Sequence, residues 1–450
     1  MSTASIILAA GEGTRMHSKL PKVLHPLVGK PMVWYALKAV NDLVDLKPVI
    51  VIGFGGDDVR HFIGEEAKFA IQAEQLGTGH AVASVRSLLD GQADTILVTF
   101  ADMPLLQKAS LETLIALHEE SDSPVTMTSF IGEEARGFGR VVRDDAGHVI
   151  AIVEQADATP EQVAIREYNV SAYCFTADWL WKALEAIPMS PKGEYYLTDV
   201  VNLAVKQGFS VNSLVLEDAD EAIGTNNRIH LAFAQKVMQK RINEKWMLAG
   251  VTIINPDVTY IEPDVRIGQD TVIQPNSHLR GATTIGEDCV IGPDTTVMDS
   301  VVGDHVHLFN SVIEGAEIAD YVTMGPYCHL RKGAILEKGV HLGNFGEVKD
   351  SRLGAGTKMG HFSYIGNANI GKNVNIGAGT ITCNYDGEKK NLTEVGDDVF
   401  LGSDTMLVAP VKIGDRSITG AGAVVTRDVP QDTLVMGVPA KEKRKLEKSD

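Results

Sequence analysis

The chain has 450 residues, 44% of them hydrophobic and 22% charged, with a net charge of −18 at pH 7. That length predicts two domains or more. The acidic balance argues against nucleic-acid binding and against attachment to anionic membranes, and no apolar run reaches the roughly 18 residues of a membrane span.

The first ten residues lack a cationic start and run straight into a glycine-rich loop, so no signal peptide is expected. The four cysteines, Cys174, Cys289, Cys328 and Cys383, have no metal-ligand spacing. Free thiols in a reducing cytoplasm are the expectation.

Residues 5–10 read as a short apolar strand, followed at once by Gly11-Glu-Gly-Thr-Arg-Met16 and then Lys22. Such a turn lets backbone N–H groups approach a phosphate, and Arg15 and Lys22 add charge. The spacing is neither the dinucleotide fingerprint nor a P-loop; a purely structural glycine turn is the alternative. Helical patterns at 34–43 and 80–89 alternate with apolar strands at 48–53 and 95–100. That alternation predicts an open α/β sheet of Rossmann-like type, with ligands beyond the carboxyl ends of its strands. Asp102 lies at such an end, where a carboxylate serves as a Mg²⁺ ligand or as a turn residue. Residues 72–80, rich in amide side chains and glycine, are suited to reading the edge of a base. Gly139, Glu154 and Asn169 are further polar points.

From Arg228 to about Ala249, Ile229, Phe233, Val237, Met238 and Ile242 follow helical spacing. This predicts a connecting helix capped by Asn226 or Asn227. The expected organisation is a first domain at 1–228, a helical linker at 229–249 and a second domain at 250–450.

In the second domain apolar residues recur every six positions: Ile267, Ile273, Leu279, Ile285, Ile291, Val297; then Ile318 through Val348; then Val395, Leu401, Leu407, Ile413. A period of six fits neither a helix nor a simple amphipathic strand, and predicts hexapeptide repeats coiled into a parallel β-helix. Glycine often follows the apolar residue, as in Gly268, Gly286, Gly343 and Gly377, and is expected to permit positive φ at the turn. The step from Ile376 to Val395 is too long for the repeat. Part of the segment around 383–390 must therefore leave the coil as a loop, and insertions in solenoids often form the binding face. The tail, Lys441 to Asp450, reads as a solvated end.

Leu8-Ala-Ala-Gly-x-Gly-Thr-Arg-Met16 resembles the opening signature of sugar-1-phosphate nucleotidyltransferases. Together with the hexapeptide region, and with 72–80, 344–349, 360–364 and 373–386, it makes the chain resemble one bacterial family. This is the bifunctional N-acetylglucosamine-1-phosphate uridylyltransferase/glucosamine-1-phosphate N-acetyltransferase family. The resemblance runs from about Ser5 to Val438 and implies a left-handed β-helix.

In the first domain the resemblance implies that Leu8, Ala9, Ala10, Gly11, Arg15 and Lys22 hold the phosphates of UTP. Gln72, Gln75, Gly77 and Thr78 would recognise uracil. Gly139, Glu154 and Asn169 would hold N-acetylglucosamine-1-phosphate, and Asp102 and Asn226 would bind Mg²⁺. Phe100-Ala101 stands where the family commonly has Tyr-Gly, which puts the contacts at Phe100 and Ala101 in question.

In the second domain the resemblance implies acetyl transfer from acetyl-CoA to glucosamine-1-phosphate. His361 would be the general base, oriented by Glu347. Arg331, Lys349, Tyr364, Asn375 and Lys390 would bind the sugar phosphate. Ala378, Asn384, Tyr385, Ser403 and Ala421 would line the acetyl-CoA site. Gly437 precedes Val438-Pro439 where the family often carries an Arg, which leaves Lys441, Lys443 or Arg444 as candidates for the CoA 3′-phosphate. A homotrimer through the β-helix is expected, with Lys390 acting across the interface. The competing readings are a single-activity nucleotidyltransferase whose β-helix only oligomerises or regulates, and a hexapeptide scaffold or binding protein with a degenerate first domain, against which Arg15, Lys22, Asp102 and Asn226 stand.

Overall fold

The structure, a computed structural model, describes residues 1–133, 137–155 and 157–445. It divides into two compact units, 1–238 and 239–450.

In the first unit Thr3–Leu8 is central. Every one of its residues is buried, because the sheet is covered on both faces. It pairs in parallel with Val49–Ile52 on one side and Thr95–Phe100 on the other. Lys68–Ile71 extends the sheet beyond Val49–Ile52. On the far side Glu167–Thr176 enters antiparallel between Thr95–Phe100 and Val125–Ile131, so the sheet is mixed. The helical pattern at 80–89 resolves into two short helices, Thr78–Ala83 and Arg86–Leu89.

The register of Glu167–Thr176 shifts between Asn169 and Tyr173, and Ser171 there has φ of 63°. Such a bulge bends the strand and re-aims its side chains. Asn169 and Tyr173 are turned toward one another, with Asn169 Nδ2 donating to the Tyr173 hydroxyl at 2.6 Å.

The boundary between the two units falls within the helix Arg228–Leu248. Only part of the helix's expected apolar stripe is covered: Ile242 packs against the β-helix core, and Val237 and Met238 are half-buried. Ile229 and Phe233 are exposed, whereas Ala234, Gln239 and Asn243 are buried. The reason lies in the second unit. Asn243 Nδ2 donates to the carbonyls of Pro256 and Thr259, and Gln239 Nε2 to that of Ile261. These amides satisfy carbonyls of the first coil, as the end of a solenoid requires. Asn227, not Asn226, caps this helix, its Oδ1 accepting from His230 N at 2.9 Å.

Among the described residues the second unit is three sheets, of 12, 10 and 9 strands, wound into a parallel β-helix; every strand pairing is parallel except that of the last strand of the 12-stranded sheet. Ile267 stacks on Ile285 and Ile285 on Val302, and every residue of the six-residue periods lies in one continuous core. Buried Thr and Ser line the corners and hydrogen-bond turn carbonyls, as Thr271 does to Gly286 and Thr405 to Gly402.

The glycines after the apolar positions serve the expected purpose only in part: Gly292 and Gly325 take positive φ, at 103° and 117°, but most of the others do not. Gly268, Gly286, Gly343 and Gly377 have no positive φ. A Cβ on Gly268 would lie 2.5 Å from the Gly286 carbonyl carbon, and one on Gly343 would collide with the Gly360 carbonyl oxygen. They permit close stacking of coils. Positive φ is shared between glycines at other turn positions, such as Gly281, Gly333 and Gly379, and Asp and Asn, among them Asp270, Asp288, Asn310, Asn373 and Asp404, which tolerate the left-handed region best after glycine.

Between Ala368–Ile370 and Thr393–Val395 the coil lengthens: Cys383 still pairs within it, with Val408, and residues 384–392 leave it as an ordered hairpin with a Tyr385–Lys390 bridge. Asp386 holds this hairpin through the N–H groups of Glu388 and Lys389 and the Asn391 amide, which draw its pKa down to about 2. The start of the tail is exposed but regular: Lys441–Lys445 pairs antiparallel with Thr433–Met436. The rest of the expected solvated tail, 446–450, lies outside the described residues.

Candidate active sites

A cleft of about 470 Å³ opens at the carboxyl ends of Thr3–Leu8 and Thr95–Phe100. Leu8, Ala9, Ala10, Gly11, Arg15, Lys22, Gln72, Gln75, Gly77, Thr78, Phe100, Asp102, Gly139, Glu154, Asn169 and Asn226 all line it. Ala101 does not. It is fully buried in the apolar core, with its N–H donating to the Leu8 carbonyl.

Charge gathers at one end. Lys22 Nζ pairs with Asp102 Oδ2 and lies 3.2 Å from Asn226 Oδ1. Arg15 Nη2 donates to the same Asn226 oxygen at 3.0 Å. Gly13, at φ of 66°, turns the loop so closely over Lys22 that a Cβ would strike the lysine side chain. Another wall is built of amides. Gln75 Nε2 donates to the Ala10 carbonyl and Gln72 Nε2 to that of Gly77, both at 3.0 Å. A Cβ on Gly77, whose φ is 93°, would lie 2.7 Å from the Tyr195 carbonyl oxygen.

Glu154 and Asn169 line a further part of the cleft. Burial raises the Glu154 pKa, partly opposed by the hydrogen bond from Thr198 Oγ1 at 3.1 Å. The wall at Glu194, Tyr196, Leu197 and Thr198 was not anticipated. Its residues show no periodicity, and only tertiary contacts place them: Leu197 N donates to Thr78 Oγ1 and Gly79 N to the Tyr195 carbonyl.

In the second unit the candidates fall on corners and a face of the prism. The strands before and after His361 are in register with those flanking Ala378, Ser403 and Ala421, so these four form one column along a corner. Arg331, Lys349 and the hairpin carrying Lys390 lie at the other end of that face. Between the two corners, Glu347 and Tyr364 are neighbours across strands. Glu347 Oε1 accepts from Arg331 Nη1 at 2.9 Å rather than from His361. The Lys390 ammonium, and then Arg331, push the pKa of Lys349 below the ordinary lysine value. Asn384 is buried, its amide donating to Asn367 Oδ1, while Tyr385 is exposed. Asn375 stands apart on the adjoining sheet, between Lys358 and Phe400.

Residues 5–198 match the MobA-like NTP transferase domain, and 264–299 and 393–427 match the bacterial transferase hexapeptide (six repeats). A Heliobacterium modesticaldum protein named Bifunctional protein GlmU is 45% identical over 433 residues, 96% of this chain and 94% of that protein. A Listeria innocua protein of the same name is 44% identical over 443 residues, covering 98% of this chain and 97% of the relative. The chain belongs to the GlmU family. This GlmU-family chain is a bifunctional enzyme of UDP-N-acetylglucosamine synthesis, joining a uridylyltransferase to an N-acetyltransferase. The match to GlmU relatives extends through the β-helix, which sets aside the single-activity reading. Among the described residues no helix is long and apolar enough to cross a membrane, and the four cysteines are free.

Proposed function

We propose that the first cleft binds UTP with its uracil against Gln72 and Gln75 and its phosphates against the 8–15 loop, Arg15 and Lys22. N-acetylglucosamine-1-phosphate would lie toward Gly139, Glu154 and Asn169. The observation that carries this reading is the meeting of Lys22, Asp102 and Asn226 at one point of the cleft. A single cation there touches a carboxylate oxygen and an amide oxygen. Hard oxygen donors of this kind suit Mg²⁺, which keeps several waters and takes phosphate oxygens as its other ligands. Asp102 and Asn226 would hold the ion, and when bound it supplies charge neutralisation to the phosphates.

The chain's own part is positioning. A sugar-phosphate oxygen attacks the α-phosphorus of UTP in line. The new P–O bond forms as the bond to the β-phosphate oxygen breaks, and pyrophosphate leaves. No protein nucleophile is required. Arg15 and Lys22 stabilise the charge spread over the phosphoryl oxygens.

In the β-helix, His361 would take a proton from the glucosamine-1-phosphate amine as its nitrogen attacks the acetyl-CoA carbonyl. The C–N bond forms and the C–S bond breaks, releasing the CoA thiol. Imidazole is the side chain best suited to taking such a proton at neutral pH. Arg331, Lys349 and Lys390 would hold the phosphate, with Tyr364 and Asn375 as further sugar contacts. Ala378, Ser403 and Ala421, with Asn384 and Tyr385 nearby, would form the acetyl-CoA side.

His361 and the Lys349 corner are five residues apart along one face, about 16 Å of extended chain. Open corners at that separation favour a site completed by a second chain, and hence a homotrimer through the β-helix; the chain's four free cysteines suit the cytoplasm. The test is to give the purified protein glucosamine-1-phosphate, acetyl-CoA, UTP and Mg²⁺. Free thiol and pyrophosphate should both appear, and pyrophosphate release should require Mg²⁺. Thiol without pyrophosphate, or the reverse, would contradict the assignment.

A further inference from the structure

Glu221 is 2% exposed and does not line the cleft. It belongs to the short 3-10 turn Ala219–Ala222, just before the segment that carries Asn226. Its carboxylate reaches across to the segment that follows Asp102. Oε2 accepts from Gln107 N at 2.7 Å, and Oε1 accepts from Ser110 Oγ at 2.8 Å. Gln107 Nε2 adds a longer contact to Oε1 at 3.3 Å. Among the described residues none of these partners is a cation.

Gln107 is also the N-cap position of the helix Lys108–Glu119, and its own side chain makes no capping bond. Glu221 thus caps that helix from another segment. A buried carboxylate at a helix start is favoured by the unpaired N–H groups and the helix dipole, and leaving those donors unpaired costs free energy.

A second tie lies closer to the cleft, where Thr225 N donates to the Asp102 carbonyl at 2.8 Å. The two segments are therefore clasped twice in antiparallel fashion, Asp102 to Thr225 and Gln107 to Glu221. Asp102 and Asn226 stand at the cleft end of this clasp.

We propose that Glu221 is a positioning residue for uridylyl transfer, holding Asp102 and Asn226 at the separation that one divalent cation needs. The inference rests on the Mg²⁺ reading above. Outer residues that orient metal ligands commonly change metal affinity by about 10–100-fold when altered.

The experiment uses the full chain with UTP present. Mn²⁺ binding is followed by electron paramagnetic resonance, and the Mg²⁺ dependence of pyrophosphate release is measured alongside. Glu221→Gln should weaken Mn²⁺ binding about tenfold, the lower end of that range. It should raise the Mg²⁺ concentration for half-maximal rate to match, leave kcat at saturating Mg²⁺ within about threefold, and leave acetyl transfer unchanged. A merely structural role would lower thermal stability without moving the metal titration. Ser110→Ala, which removes one donor to Glu221, should shift binding in the same direction by less, and it decides the matter if Glu221→Gln does not fold. Asp102→Asn is the control. If it weakens Mn²⁺ binding while Glu221→Gln, or Ser110→Ala in its place, does not, the positioning role is wrong. If Asp102→Asn leaves Mn²⁺ binding unchanged, the metal reading itself fails and the inference with it.

Discussion

Lys349, Lys390 and Arg331 crowd positive charge onto one corner of the β-helix, and the pKa of Lys349 falls because of it, first through Lys390. The unfolded chain binds that proton more tightly than the folded one. The cluster therefore costs stability at neutral pH, and the cost is relieved as pH rises through the lowered folded value toward the ordinary lysine value. A cluster of this kind suits an anion. Replacing Lys390 by alanine should move the Lys349 titration upward, read by nuclear magnetic resonance of the lysine ε-methylene. An unchanged titration would mean that Lys390 is not its neighbour in solution. Single residues were also where the sequence was hardest to read. Nothing local distinguishes Glu221, Tyr196 or Thr198 from ordinary polar surface, because their partners lie far along the chain. Asp102 and Arg15 were legible because each sits at a fixed offset from a strand that the sequence shows plainly.

The hexapeptide coil was legible at the level of the element, because each of its faces places one apolar residue inward and the period survives many turns. The role of its glycines was not, because close approach between coils is a three-dimensional matter and adds nothing to the period. The distinction can be tested. Gly343→Ala places a methyl group against the Gly360 carbonyl and should destabilise the β-helix by about 1–3 kcal/mol, the usual effect of overpacking. Gly360→Ala meets nothing within 4 Å and should change the melting temperature little. Equal effects in thermal unfolding would refute the close-stacking account. The helix Arg228–Leu248 shows the opposite case: its periodicity was clear and Ile242 does pack on the core, but the amides of Gln239 and Asn243 that also dock it carry no periodic signal.

For the whole molecule, the proposed trimer predicts complementation. His361→Ala and Lys390→Ala, each inactive in acetyl transfer, are unfolded and refolded together. If Lys390 serves a site containing another chain's His361, mixed trimers should recover part of the activity. No recovery in trimers shown by mass to be mixed would place both residues in one chain's site. The central claim is that one chain carries two separate chemistries. Its most direct test is to assay Asp102→Ala and His361→Ala side by side for pyrophosphate and for free thiol, with folding checked by circular dichroism. Asp102→Ala should abolish pyrophosphate release and keep thiol release. His361→Ala should lower thiol release by about 10²–10⁴-fold, the usual effect of losing a general base, and keep pyrophosphate release from N-acetylglucosamine-1-phosphate and UTP. Loss of both activities in either correctly folded variant would contradict the account.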